Sequence, residues 1–162
     1  IGHKTPTRMG NAHPNIVPYQ VFPTRDGHMV LAVGNDGQFA RFCDACDHPE
    51  VSRDARFSTN PARVEHRAVL VPLLTGWTLQ RDTADWVQRL DVAGVPCSPI
   101  LDIAQVMEHP HVAARGLRLQ PGVDGTPPMI ANPMVMDGQR PLAELPPPAL
   151  GAHPARWLHA TP

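Results

Sequence analysis

Three residues in the first third of the chain have the spacing of a metal or redox site: two residues separate Cys43 from Cys46, and His48 follows. A zinc site needs four ligands in tetrahedral geometry. No second Cys/His pair at that spacing follows, and Cys97 belongs to a different predicted element. Both cysteines also fall on the apolar face of a predicted helix. The pattern therefore predicts cysteines packed in a core rather than a metal site.

The loop at residues 10–19 is a second candidate. Asn11, His13 and Asn15 offer hydrogen-bonding groups, and Pro14 and Pro18 restrict the backbone around them. A preorganised polar loop is typical of binding sites. The residues alone slightly favour the simpler interpretation, an N-terminal linker held by prolines.

Other polar clusters have structural interpretations. The turn at residues 34–37 precedes a predicted helix, as a phosphate-binding turn does, but Asp36 would repel a phosphate, and helix capping by Asp36 is favoured. His109 and His111 flank Pro110 and are expected on the surface. The sequence contains no nucleophile elbow around a serine and no dinucleotide or Walker spacing.

Hydrophobic periodicity predicts the elements that position these residues. β-branched and aromatic residues at 19–22 and 28–33 flank a turn in which Gly27 can supply a positive φ, which predicts an antiparallel hairpin. An apolar stripe that starts at Phe39 predicts a helix beginning at Asp36 and ending at His48-Pro49.

Two longer helices and a short strand follow. A helix beginning at Asn60, with apolar positions 64, 68, 71 and 74, is expected to kink or restart at Pro72. The next helix has a capping box at Asp82 and Asp85, a buried face at 86, 87 and 90, and a stop at Gly94. The pattern at residues 95–101 then predicts a strand.

Local signals continue up to a proline-rich tail. Asp102 and Gln105 form a capping box, and a short helix runs from Pro110 to Gly116. Beyond residue 117 the prolines leave room only for short strands at 117–119 and 129–131. The predicted fold class is α/β, as an α+β small domain. In this fold an antiparallel hairpin and short strands pack with several helices, and a proline-rich extended C-terminal tail follows.

Composition excludes several classes of function. The 162 residues carry a formal net charge of −1, which gives no general attraction to nucleic acid or anionic membranes. The sequence shows neither a leader peptide nor an apolar run of membrane-spanning length. Three cysteines do not make a disulfide framework. We therefore expect a cytoplasmic protein.

Several separate blocks make the chain resemble the class III CoA-transferase family, of the formyl-CoA and carnitine CoA-transferase type. The blocks lie in the expected order along nearly the whole chain. They are Gly10-Asn11, His13-Pro14-Asn15, Asn35-Asp36-Gly37-Gln38-Phe39, Gly94-Val95-Pro96 with Pro99, His109-Pro110-His111-Val112 with Arg115-Gly116, and Pro146-Pro147-Pro148-Ala149-Leu150-Gly151.

The resemblance implies two domains with different roles. In that family a large Rossmann-like domain binds CoA and supplies an aspartate nucleophile, and the enzyme forms interlocked dimers. The matched part is the small domain, so no catalytic residue is assigned to this chain. The expected organisation is a linker loop at 1–18, a small domain at 19–116, and a proline-rich segment at 117–162 that returns to a missing large domain.

The resemblance also assigns a substrate loop. In formyl-CoA transferases the corresponding loop is glycine-rich and closes over the reacting aspartate, whereas bulkier residues stand here, which favours a different acid. CoA thioester is the implied substrate of the full-length enzyme, with no tightly bound cofactor. An acyl-CoA racemase and a non-catalytic binding or assembly module stay open as alternatives. The implied substrate-loop residues are Asn11, His13, Pro14, Asn15 and Ile16.

Overall fold

The computed structural model describes residues 7–119, 128–141 and 148–152. It divides into two units, residues 1–100 and residues 101–162. The fold class predicted from sequence is confirmed, because antiparallel strands combine with six α-helices in these described ranges. Within the described residues, every helix is too short or too polar to cross a membrane.

A three-stranded antiparallel sheet organises the first unit. Strands β1 (Tyr19–Pro23) and β2 (His28–Ala32) form the predicted hairpin, and β3 (Cys97–Pro99) pairs with the other edge of β2. The prediction of a positive φ at Gly27 is wrong, because that conformation is absent there. A four-residue loop closed by a hydrogen bond from the Thr24 N–H to the Gly27 carbonyl (2.9 Å) makes the turn instead.

The glycine at position 27 meets a different requirement. A Cβ there would lie 3.3 Å from the Thr83 hydroxyl, which is closer than ordinary packing. Gly27 therefore lets the hairpin loop approach the helix that begins at Thr83.

Four α-helices pack with this sheet. They are α1 (Asp36–Ala45), α2 (Asn60–Glu65), α3 (Arg67–Thr78) and α4 (Thr83–Val92), with a short 3-10 turn at Pro49–Arg53. Cys43 and Cys46 are buried in the core with Phe39 and Phe42, which confirms the predicted core packing. Burial raises the pKa of the Cys43 thiol to about 12 and also raises that of Cys46.

The helix starts differ from the predicted caps. Asn35, not Asp36, caps α1 by accepting a hydrogen bond from the Gln38 N–H (2.9 Å). Asp36 stands in the first turn. In α2 the capping side chain is Thr59 rather than Asn60. Both predicted caps are one residue too late, because the residue just before each helix also carries a capping oxygen.

The predicted capping box at Asp82 and Asp85 is also wrong. Asp82 occupies the N-cap position of α4, but its side chain makes no capping hydrogen bond. It binds Arg25 through two hydrogen bonds instead. The carboxylate of Asp26 accepts from the Thr83 N–H (2.8 Å) and caps the helix from the hairpin loop. The predicted stop at Gly94 is confirmed by its φ of +65°.

The helix break occurs at His66 rather than at Pro72. The helix α3 continues through Pro72, which is exposed together with Ala68. Water can therefore bind the Ala68 carbonyl that Pro72 leaves without a donor. The predicted buried face is confirmed in part, because Leu74 is buried and Val64 and Val71 pack against the core, whereas Ala68 is exposed.

The second unit follows the local signals closely. Helix α5 (Ile103–Glu108) begins with the complete predicted capping box of Asp102 and Gln105. Helix α6 (Pro110–Ala114) is followed by Gly116 at φ +57°. Strands β4 (Arg118–Leu119) and β5 (Met129–Ile130) pair antiparallel, slightly shorter than predicted. Most of the proline-rich tail lies outside the described residues.

Candidate functional site

The loop before β1 folds back onto the beginning of the sheet. The His13 N–H donates to the Tyr19 carbonyl (2.9 Å), and the His13 ring stacks on the Tyr19 ring with centroids 5.4 Å apart. The Asn11 carboxamide oxygen accepts from the Val21 N–H (2.9 Å). Since β1 is an edge strand, Asn11 binds one N–H of that edge. This role is structural, so the structure separates Asn11 from the other predicted loop residues.

The four remaining predicted residues form the tip of the loop. His13 and Ile16 are partly buried, and Pro14 and Asn15 are exposed. The Asn15 N–H donates to Nδ1 of His13 (3.1 Å). An Nδ1 that accepts a hydrogen bond carries no proton, so the neutral ring bears its proton on Nε2. The tip therefore offers an Nε2–H donor and the Asn15 carboxamide as candidate ligands for an anion.

Two side chains that sequence reasoning missed hold the loop tip from α2 and α3. Asn60 donates to the Asn15 carbonyl (2.8 Å) and accepts from the Val17 N–H (3.1 Å). Arg67 donates through Nη2 to the carbonyls of His13 (2.7 Å) and Pro14 (3.0 Å). The backbone of the tip is thus bound by side chains more than forty residues away in sequence.

A third missed residue, Arg63, lies fully buried below the loop. It donates to the carbonyls of Val17 (2.7 Å) and Phe57 (2.9 Å) and to the Asp36 carboxylate (2.8 Å). Its guanidinium lies over the ring of Phe39, 4.4 Å from the centroid. Arg63 therefore ties the end of the loop to α1 and to the core.

A sequence signal for the two arginines does exist. The buried residues Leu70, Leu74 and Trp77 form a stripe at helical spacing, and Arg67 and Arg63 extend that stripe toward the N-terminus at intervals of three and four residues. A long cationic side chain on a buried stripe must bind acceptors inside the fold. The acceptors cannot be read from the stripe, because they lie in the distant loop.

The other sequence candidates have structural roles in the described residues. Nδ1 of His109 accepts from the His111 N–H (3.2 Å) at the start of α6, and the Asn35 side chain of the turn at 34–37 caps α1. Among the described residues no group of three or more histidine, cysteine or carboxylate side chains converges on a metal position. A groove of about 650 Å³ between α1 and α4, lined by Arg41, Asp44 and other residues, contains no loop residue.

Comparison with known proteins agrees with the fold. The model of CoA-transferase family III matches residues 1–154. The succinate–glutarate CoA-transferase of Agrobacterium fabrum is 42% identical over 161 residues, which cover 98% of this chain and 40% of that protein. The human succinyl-CoA:glutarate CoA-transferase is 36% identical over 162 residues, covering 98% of this chain and 36% of that protein.

A solved structure shows the same arrangement. The crystal structure of a CaiB/BaiF family protein from Brucella suis superposes with a TM-score of 0.81 at 38% identity, over 97% of this chain and 41% of that one. The chain therefore spans about two fifths of the length of the proteins it matches.

Proposed function

Because this chain belongs to CoA-transferase family III, we propose that it is the C-terminal part of an enzyme that moves CoA between a thioester and a carboxylic acid. In this proposal the chain supplies the small domain, and the loop tip at residues 13–16 shapes the pocket for the acid. CoA enters and leaves as a substrate. The full-length enzyme is a homodimer whose large domain completes each active site.

The observation that carries this proposal is the family match together with a polar loop whose backbone is already fixed. A carboxylate binds best to N–H donors that need no rearrangement. The Nε2–H of His13 and the carboxamide of Asn15 are such donors, because the backbone that bears them is bound by Asn60 and Arg67. We therefore assign these two side chains to recognition of the accepting acid.

The named relatives favour a dicarboxylic acid. Both relatives described above are named for transfer of CoA between succinate and glutarate. These names also favour transfer over racemisation. A dicarboxylate presents one carboxylate to the reacting thioester and a second one to a recognition group. The loop tip fits the second role, since residues 13–16 offer neutral donors and include no carboxylate, thiol or hydroxyl.

The chain alone is expected to be inactive. The relatives are more than twice as long as the matched region, and in this proposal the nucleophilic aspartate lies in the part without a counterpart here. Incubation of the purified chain with succinyl-CoA and glutarate should leave the thioester pool unchanged by chromatography. Sustained formation of glutaryl-CoA by the isolated chain would overturn this part of the proposal.

The loop assignment is tested in the intact parent enzyme. His13→Ala and Asn15→Ala each remove a donor to a carboxylate, so the KM for the acid should rise about 10-fold or more. The KM for the CoA thioester should stay within about twofold. His28→Ala is the matched control, because His28 is an exposed histidine on β2, outside the loop. An unchanged KM for the acid in both loop variants would refute the assignment.

A further inference from the structure

The loop tip is bound through its backbone rather than through its side chains. Within residues 13–17, four of the five carbonyls accept hydrogen bonds from side chains of α2 or α3. The Val17 N–H is also bound, by the Asn60 oxygen. A loop that opened as a lid would have to break all these hydrogen bonds together.

Asn60 binds the loop backbone through one donor and one acceptor, as a neighbouring strand would. Its Nδ2 donates to the Asn15 carbonyl and its Oδ1 accepts from the Val17 N–H, so one carboxamide binds both sides of the loop turn. The carboxamide of asparagine or glutamine carries a donor and an acceptor side by side in one plane. Aspartate at this position would keep the acceptor and lose the donor.

Arg67 is poorly placed to stabilise the fold by charge. It forms no ion pair within the described residues, its Nη1 is buried without a partner there, and burial lowers the pKa of its guanidinium. A partly buried charge that lacks a carboxylate partner contributes little to stability, and an apolar side chain of similar size often does better. The charged side chain of Arg67 therefore serves mainly to bind the two loop carbonyls.

We propose that Asn60 and Arg67 are positioning residues that hold residues 13–17 as a fixed wall of the acid pocket. This inference rests on the proposed function for its role in acid binding. By fixing the peptide groups at 13–15, the two side chains keep the His13 ring where its Nδ1 accepts from the Asn15 N–H and its face stacks on Tyr19. The wall does not open and close during turnover.

The first test measures amide hydrogen exchange in the full 162-residue chain by NMR. In the wild type, the Val17 amide should exchange at least about 100-fold more slowly than an unstructured amide. Asn60→Ala should speed Val17 exchange about 10-fold or more, whereas Asn60→Asp keeps the acceptor and should preserve most of the protection. Thr59→Ala is the control, because it removes the cap of α2 without touching the loop.

A second variant separates positioning from stability. Because the two carbonyls that Arg67 binds are part-buried or exposed and can bind water instead, Arg67→Met should leave the unfolding midpoint nearly unchanged. The Asn15 amide should exchange about 10-fold faster, and Arg67→Lys should restore part of that protection. Arg41→Met is the matched control, because Arg41 also binds two backbone carbonyls, those of Ala93 and Gly94, away from the loop. In the parent enzyme, Arg67→Met should raise the KM for the acid about 10-fold and change kcat less than threefold.

The fixed wall and the proposed function are tested by different measurements. Unprotected Asn15 and Val17 amides in the wild-type chain, or equal effects of Asn60→Ala and Thr59→Ala, would overturn the fixed wall. A parent enzyme with no CoA-transferase activity would overturn the proposed function, whatever the exchange rates show. If the loop amides exchange fast and the parent enzyme is active, the proposed function is kept and the loop is a mobile lid instead of a fixed wall.

Discussion

Arg63 provides the sharpest quantitative test of the structure. Arg63→Met removes the guanidinium and keeps an unbranched side chain that fills part of the same volume. The fully buried guanidinium donates to the carbonyls of Val17 and Phe57 and lies over the ring of Phe39. The Asp36 carboxylate, by contrast, is 52% exposed.

These contacts set the expected change in the free energy of unfolding. Two buried carbonyls that lose their donor cost about 1–3 kcal/mol each, and the cation–π contact adds up to about 2 kcal/mol. The freed Asp36 carboxylate turns to water at little cost. Removal of the unfavourable buried charge offsets part of the loss. We expect a net destabilisation of about 3–5 kcal/mol.

Urea denaturation followed by tryptophan fluorescence measures this change. With a slope of about 2 kcal/mol per molar, the midpoint should fall by roughly 2 M. Asp36→Asn is the control, because it removes the ion pair but leaves both buried carbonyls bound to Arg63, and it should cost clearly less, about 1–2 kcal/mol. A loss below about 1 kcal/mol for Arg63→Met, or equal losses for both variants, would refute this account of the core.

Two further predictions concern groups that titrate. Hydrogen bonds from the Thr83 N–H and then the Thr83 hydroxyl lower the pKa of Asp26 below its ordinary value of 3.8. The stability that Asp26 contributes is therefore complete above that ordinary value and disappears as the pH falls through the lowered pKa. An NMR titration should show the lowered pKa, and Thr83→Val should shift it upward; an unshifted Asp26 in the wild type would contradict the capping role. Because burial raises the thiol pKa of Cys43 to about 12 and that of Cys46 as well, neither should react with a disulfide reagent at pH 8 until the chain is unfolded. Rapid modification of either thiol in the native chain would show that this part of the core is open.

Local sequence signals were sufficient where an element is determined by its own residues. The capping box of Asp102 and Gln105 and the left-handed stop at Gly94 lie where the sequence predicts them. Each depends on contacts between residues only a few positions apart. The hairpin follows from alternation on the two strands, since that pattern decides which side chains face the core.

Prediction failed where a neighbour from another element competed for the same group. Asp82 has the sequence of a cap, but Arg25 from the hairpin loop binds it, and Asp26 takes over the capping. Similarly, Asp36 stands at a helix start, yet its partner is the distant Arg63. Caps with several nearby carboxylates are ambiguous in sequence because hydrogen-bond geometry, not residue type, chooses among them.

The sequence by itself determined the family, the order of helices and strands, and the presence of a polar, proline-restricted loop before the first strand. Only the tertiary structure decided what that loop is bound to. Asn60 and Arg67 lie 43–54 residues from the loop groups they bind, and no periodicity links positions so far apart. Loop carbonyls are the same in every residue, so the choice of donors depends on how α2 and α3 pack beside β1.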